Sequence, residues 1–166
     1  MQENTTRFGS MAQYEKGRVE VLNDEAGHYA FSNIFEVASK AVPYEKTAVA
    51  KNLEYVVEVL RAEGTSDWFS SSNDEFAVIM EGDIRIELRT IEASIPNPNR
   101  DGPGSTTVSP NDLGKKMGVI KLRRGHQALL PQGSAYRFSS ESPGVILIQT
   151  LCGPLTQEKW SRICQQ

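Results

Sequence analysis

Histidine is scarce in this chain: there are two in 166 residues, His28 and His126. Neither stands in a run of metal-ligating residues, and each reads as an ordinary polar side chain. Cysteine is equally scarce, with Cys152 and Cys164 alone. Two thiols without metal-ligand spacing suggest a reducing cytoplasm rather than a disulfide scaffold. The net charge of -3 gives no electrostatic case for nucleic acid. No apolar run approaches the roughly 18–20 residues that span a bilayer, which argues against a membrane protein. The N-terminal stretch lacks the basic-then-apolar pattern of a secretory signal. No G-x-S-x-G elbow and no P-loop occur. Gly102 and Gly104 lie in a Pro-rich stretch rather than after a strand, so they are no dinucleotide fingerprint.

What is present reads as one mainly β domain. A hydrophobic share of 39% and a charged share of 23% fit one globular unit with an adequate core. Residues 1–18 are polar and aperiodic and read as a mobile arm or one ordered by a partner. Residues 19–166 form the domain, with a Pro/Gly-rich insertion at 91–114. Gly17–Leu22 alternates like a short strand. Phe31–Ala41 reads as a short helix, capped by Ser32 with Glu36 near the capping-box position, stopping before Pro43. Lys46–Asn52 and Glu54–Glu63 read as strands, because Val and Tyr suit a pleated surface. In Asn73–Leu88, a strand, a Glu-Gly-Asp turn and an alternating strand read as a hairpin, with Ile84, Ile86 and Leu88 inward. Gly125–Phe138 repeats that logic around a Pro-x-Gly turn. Met117–Arg124 alternates as a strand, and Gly144–Leu151 is an apolar run fit for a buried one. The C-terminal stretch reads as a short amphipathic helix, capped by Thr156, with Leu155, Trp160 and Ile163 inward.

The two expected hairpins together resemble the two motifs of the cupin superfamily. Glu75 precedes Gly82 by seven residues, as in the first motif, and Gly125, Pro131 and Gly133 keep the spacing of the second. The resemblance implies a single cupin-type β-barrel (jelly roll) with short N- and C-terminal helices. A metal-using cupin carries imidazoles and a carboxylate inside the barrel, a set suited to Fe, Mn, Ni or Zn. Here Trp68, Phe69, Ser70 and Ser71 stand where the first histidines belong, and Tyr136 stands where the last belongs. Glu75 alone remains, and one carboxylate cannot hold a catalytic transition metal. Glu75 is therefore expected to be a buried carboxylate held by hydrogen bonds, with Tyr136 across the barrel among the donors.

The run from Ala41 through Ile84, with the GHQALLPQGSAYRF and GVILIQT segments, resembles the small subunit of two-component hydroquinone 1,2-dioxygenases. That resemblance implies Fe(II)-dependent cleavage of a small phenolic substrate, hydroquinone, to 4-hydroxymuconic semialdehyde. It implies a larger, cupin-type catalytic subunit as partner, in an α2β2 heterotetramer, with iron bound by that partner and none by this chain. No catalytic residue carries over; Glu75 and Tyr136 are the candidates within this chain. Trp68, Phe69 and Trp160 are candidates for a substrate pocket or interface. Two other readings stay open: a stand-alone metal-free cupin that binds or senses a small aromatic molecule, and a metal-free isomerase with Glu75 as base and Tyr136 as acid.

Overall fold

The computed structural model of the chain describes residues 9–14, 33–92 and 102–158. Among these, one helix precedes nine strands. The helix is α1 (Ile34–Lys40). The strands are β1 (Thr47–Asn52), β2 (Tyr55–Thr65), β3 (Trp68–Ser71), β4 (Glu75–Glu81), β5 (Ile84–Ile91), β6 (Ser105–Val108), β7 (Leu113–Leu122), β8 (Gln127–Leu130) and β9 (Ala135–Leu151). All the strand pairings are antiparallel and join in one sheet that curls on itself. The mainly β expectation is met.

β9 organises the sheet. Its 17 residues begin with the AYRF run and continue through the apolar GVILIQTL run, so the expected buried strand is its second half. That half pairs with β4, from Phe76↔Gln149 to Glu81↔Val145. The first half pairs with β5, from Arg85↔Ser139 to Arg89↔Ala135. β2 runs along most of its length.

This arrangement corrects the two hairpin readings. β4 and β5 are joined by a tight turn but do not pair with each other: β4 takes β8 and β9, and β5 takes β7 and β9. Likewise β8 pairs with β4 rather than with β9 across the Pro131–Gly133 turn. The reason lies where β9 changes partners. Register shifts at Ala62/Gly64 and at Ile79/Glu81 are bulges, which bend strands and raise their twist. Gly82 sits there at φ +87, with a Cβ position only 2.9 Å from the Gly144 Cα. The chain turns from one wall of the curl to the other instead of folding back beside itself.

Alternation within strands follows expectation. Ile84, Ile86 and Leu88 of β5 point inward. They join Leu60, Phe138 and Ile146 in the core enclosed by the curl. On the outer side, α1 lays Phe35, Val37 and Ala38 against Val49, Val59 and Val145. The helix is shorter than expected, and its cap is Asn33 rather than Ser32. The Asn33 Oδ1 accepts from the N–H groups of Phe35 at 3.0 Å and Glu36 at 3.4 Å, which satisfies two free donors of the first turn.

Three further segments differ from or refine the reading. The insertion carries a strand, β6, paired with β3, and a 3₁₀ turn, Pro110–Asp112, capped by Ser109. After β9 the chain turns at 154–155, where the Thr156 N–H donates to the Gly153 carbonyl at 3.1 Å, and Gln157 forms a parallel bridge with Thr47. The body of the helix expected after Thr156, with Trp160, Ile163 and Cys164, lies outside the described residues, as do the strand expected at 17–22 and His28. Part of the N-terminal arm is seated on the barrel, with the Met11 N–H donating to Glu81 at 2.8 Å and Arg124 donating to the Gly9 carbonyl.

Candidate functional site at the centre of the barrel

Strand alternation carries four polar side chains into the barrel along with the apolar ones. Glu58 is in phase with Val56 and Leu60 on β2. Glu75 is in phase with Ala77 and Ile79 on β4. Tyr136 and Thr150 share the inward row of β9 with Phe138, Ile146 and Ile148. All four are buried, Glu75 at 0% and Tyr136 at 1% exposure. Ser105, at the start of β6, and Lys46, just before β1, complete the group and are buried too.

These side chains form one network. Glu75 accepts three hydroxyl hydrogen bonds: from Ser105 at 2.7 Å and Thr150 at 2.6 Å on Oε1, and from Tyr136 on Oε2. The Lys46 ammonium donates to the Ser105 Oγ at 2.8 Å and the Tyr136 hydroxyl at 3.2 Å. Its Nζ lies 3.5 Å from Glu58 Oε2 and 5.1 Å from the centre of the Phe69 ring. Glu58 Oε1 accepts from the Thr156 hydroxyl at 2.6 Å, while its Oε2 faces the ammonium without a hydrogen bond.

Burial opposes the Lys46 charge, but the Tyr136 oxygen and the Glu75 and Glu58 carboxyl groups more than offset it, and its pKa is raised. Lys46 thus remains an ammonium at any physiological pH. Burial also pushes the Tyr136 phenol up, against the pull of Lys46 and with the help of Glu75, so Tyr136 keeps its proton and donates. Burial raises Glu58 as well, with Lys46 and Thr156 working the other way.

Glu75 and Tyr136 are therefore brought together as the motif spacing suggested. Trp68 and Phe69 are buried and part company. Phe69 faces inward against Tyr136, with ring centres 5.8 Å apart. Trp68 faces the other side of β3, where the Arg137 and Arg89 guanidinium groups lie 4.5 and 5.6 Å from the centre of its ring. His126 is exposed and bonds locally to Arg123. Cys152 is a free thiol. Lys46, Glu58, Ser105 and Thr150 were not anticipated. The available signal was Glu58, a charge in an otherwise apolar inward row, which demands a buried partner.

Clefts open on the surface formed by the described residues. One of about 370 Å³ has Tyr44, Lys46, Asp67, Phe69 and Thr107 in its walls. Another, of about 880 Å³, is lined by Arg85, Lys121, Arg123 and His126 with Asp83 and Glu141, and contains none of the network residues.

A scan against protein-family models finds no match, and a search of the curated proteins finds none. Solved structures do match. The chain is 51% identical to a chain of the hydroquinone 1,2-dioxygenase PnpCD, solved with Cd²⁺ and 4-hydroxybenzonitrile; the match covers 98% of this chain and 97% of that one, with a TM-score of 0.84. It is 48% identical to a chain of the hydroquinone 1,2-dioxygenase from Sphingomonas sp. TTNP3, solved with 4-hydroxybenzoate, over 98% of each chain, with a TM-score of 0.85. The chain belongs to the hydroquinone 1,2-dioxygenase family. This member of the dioxygenase family also shares its fold with a longer chain of PnpCD, solved with Fe³⁺, at 12% identity and a TM-score of 0.60; the match covers 98% of this chain and 44% of that one. A cupin-2 domain protein from Shewanella frigidimarina aligns at 16% identity and a TM-score of 0.50, over 70% of this chain and 89% of that chain. The fold is thus a cupin-type β fold.

An iron ion does not fit the centre of this dioxygenase-family barrel. The donors around Glu75 are hydroxyl groups already turned toward it, and a fixed positive charge, the Lys46 ammonium, stands among them. Among the described residues, no group of three or more His, Cys, Asp or Glu side chains is placed to hold a metal ion.

Proposed function

We propose that the chain is the non-metal small subunit of a heteromeric, Fe(II)-dependent, ring-cleaving hydroquinone dioxygenase. The observation that carries this reading is the match at 51% identity along nearly the full length of a chain of PnpCD. The iron is bound by a larger, cupin-type partner. Hydroquinone and O₂ give 4-hydroxymuconic semialdehyde: a ring C–C bond breaks and both oxygen atoms enter the product. When bound in the partner, the iron supplies the activation of oxygen and phenol that this step needs. The likeness of fold to a longer chain of PnpCD supports an assembly of two related cupins, for which we propose α2β2 and a cytoplasmic setting.

In this assembly the chain acts by covering and shaping the catalytic subunit. Glu75 and Tyr136 hold their own barrel together; their saturation by Ser105, Thr150 and Lys46 supports that role over acid–base chemistry. A partner of this kind stabilises by mass action and restricts water at the reacting centre. On the outer sheet face, Phe76 and Leu129 stand opposite each other across β4 and β8 and are each close to half exposed, which supports a partner surface.

The test is co-expression with the larger cupin chain, then native mass, iron content and hydroquinone-dependent oxygen uptake of what co-purifies. A stable complex that holds iron only with the larger chain, and that cleaves hydroquinone, is the expected result. A chain that stays alone beside that partner would overturn the reading.

A further inference from the structure

The network at the barrel centre contains more than a stranded motif carboxylate. Two carboxyl groups, Glu58 from β2 and Glu75 from β4, are buried there at 1% and 0% exposure. A buried carboxylate without a cation is costly. Cupin motif spacing places Glu75 and Tyr136 at two of the positions that would face a metal. Both are joined to the same ammonium: Tyr136 directly, at 3.2 Å, and Glu75 through Ser105, which accepts from Lys46 at 2.8 Å and donates to Glu75 at 2.7 Å.

We propose that Lys46 is a resident cation which takes the place of a metal ion at the centre of this barrel and makes its two inward carboxyl groups tolerable. The claim goes beyond the subunit reading and does not depend on it, since the ammonium would serve the barrel equally in a chain with no partner.

The backbone around Lys46 is held for this purpose. The Lys46 carbonyl accepts from the Gln157 N–H at 2.8 Å, and the Ala48 N–H donates to the Gln157 carbonyl at 2.9 Å. The residue before Gln157, Thr156, gives its hydroxyl to Glu58. One strap thus fixes the cation by its main chain and one of the carboxyl groups by a side chain. A divalent ion at this point would have to approach oxygens to about 2.0–2.6 Å, beside the positive charge of Lys46, itself bonded to Ser105 and Tyr136. Without the ammonium, the same cage of Glu58, Glu75, Ser105, Thr150 and Tyr136 becomes an all-oxygen site of the kind that suits Mn²⁺ or Mg²⁺.

The test uses the full-length chain and Mn²⁺ as probe, with thermal unfolding and electron paramagnetic resonance as readouts. The wild type is expected to show no Mn²⁺-dependent shift in melting temperature and no bound Mn²⁺ signal. Lys46→Met is expected to melt lower by roughly 10 °C, the loss that breaking a buried ion pair brings in a chain of this size. Mn²⁺ should restore part of that loss, as should the added substitution Glu75→Gln, which removes one of the two carboxyl groups left without the ammonium. If Lys46→Met does not fold, folding of Lys46→Met/Glu75→Gln supports the proposal, and failure of both overturns it. A wild-type chain that binds Mn²⁺ and loses it with Glu75→Gln would overturn it, as would a Lys46→Met chain that melts with the wild type and ignores Mn²⁺.

Discussion

Thr150 gives its hydroxyl to Glu75 from within β9, at 2.6 Å and buried from water. Thr150→Val keeps the shape and removes the donor, leaving a buried carboxylate oxygen short of a partner. The expected cost is about 1–3 kcal/mol, read from the shift in the urea unfolding midpoint; an unchanged midpoint would show that the hydroxyl contributes nothing. The tyrosines give a second prediction. Burial raises the Tyr44 phenol to about 12, and Tyr136 is raised further. Both hold their protons more tightly folded than unfolded. The unfolded chain therefore releases protons above pH ~10 that the folded chain retains, and stability falls as pH rises from there. Phenolate absorbance should show Tyr44 and Tyr136 ionising at higher pH in the folded chain than in the unfolded chain; if neither Tyr44→Phe nor Tyr136→Phe removes any of the delayed signal seen in the wild type, this is contradicted. At this scale, Glu75 and Tyr136 were legible because motif spacing ties side-chain direction to the turn. Lys46 was not, because at the head of the expected 46–52 strand no alternation of apolar residues marks it as inward.

Strands were legible element by element, and their partners were not. Ile and Leu at alternate positions identify β5, and the apolar run identifies the second half of β9, whatever lies beside them. The hairpin readings failed because they assumed that strands joined by a short turn pair with each other. β9 is long enough to take β4 and β5 at its two ends, and the bulges beside Gly82 steer them apart. Gly82 is thus the hinge of the arrangement. Gly82→Ala combines a left-handed φ with a Cβ placed 2.9 Å from Gly144 Cα, and should cost about 2–3 kcal/mol. Gly125→Ala shares the positive φ, at +85, but meets nothing within 4 Å, and should cost about 1 kcal/mol. Equal losses in thermal unfolding would show that conformation alone, and not the close approach of β9, makes Gly82 necessary. At the C-terminal stretch only the start of the expected helix falls within the described residues. There Thr156 bonds to Glu58, and Gln157 bonds to the segment before β1.

At the scale of the whole molecule, the chain has a cupin-type barrel around a centre made of an ammonium, hydroxyl groups and carboxyl groups. Its stability should not depend on metal. Chelation of the assembled complex is expected to abolish hydroquinone cleavage, yet leave the melting of this chain where it was, followed by tryptophan fluorescence of the purified subunit before and after treatment. The family was legible in the sequence because the motif spacings survive the loss of the ligands; the closed centre was not, because it is built from β2, β4, β6, β9 and the segments flanking them. The measurement that bears most directly on the account is anomalous X-ray scattering at the iron edge from crystals of this chain assembled with its larger partner. The account predicts an iron peak in the barrel of the larger chain and none between Glu75 and Tyr136. A peak between those two side chains would contradict it.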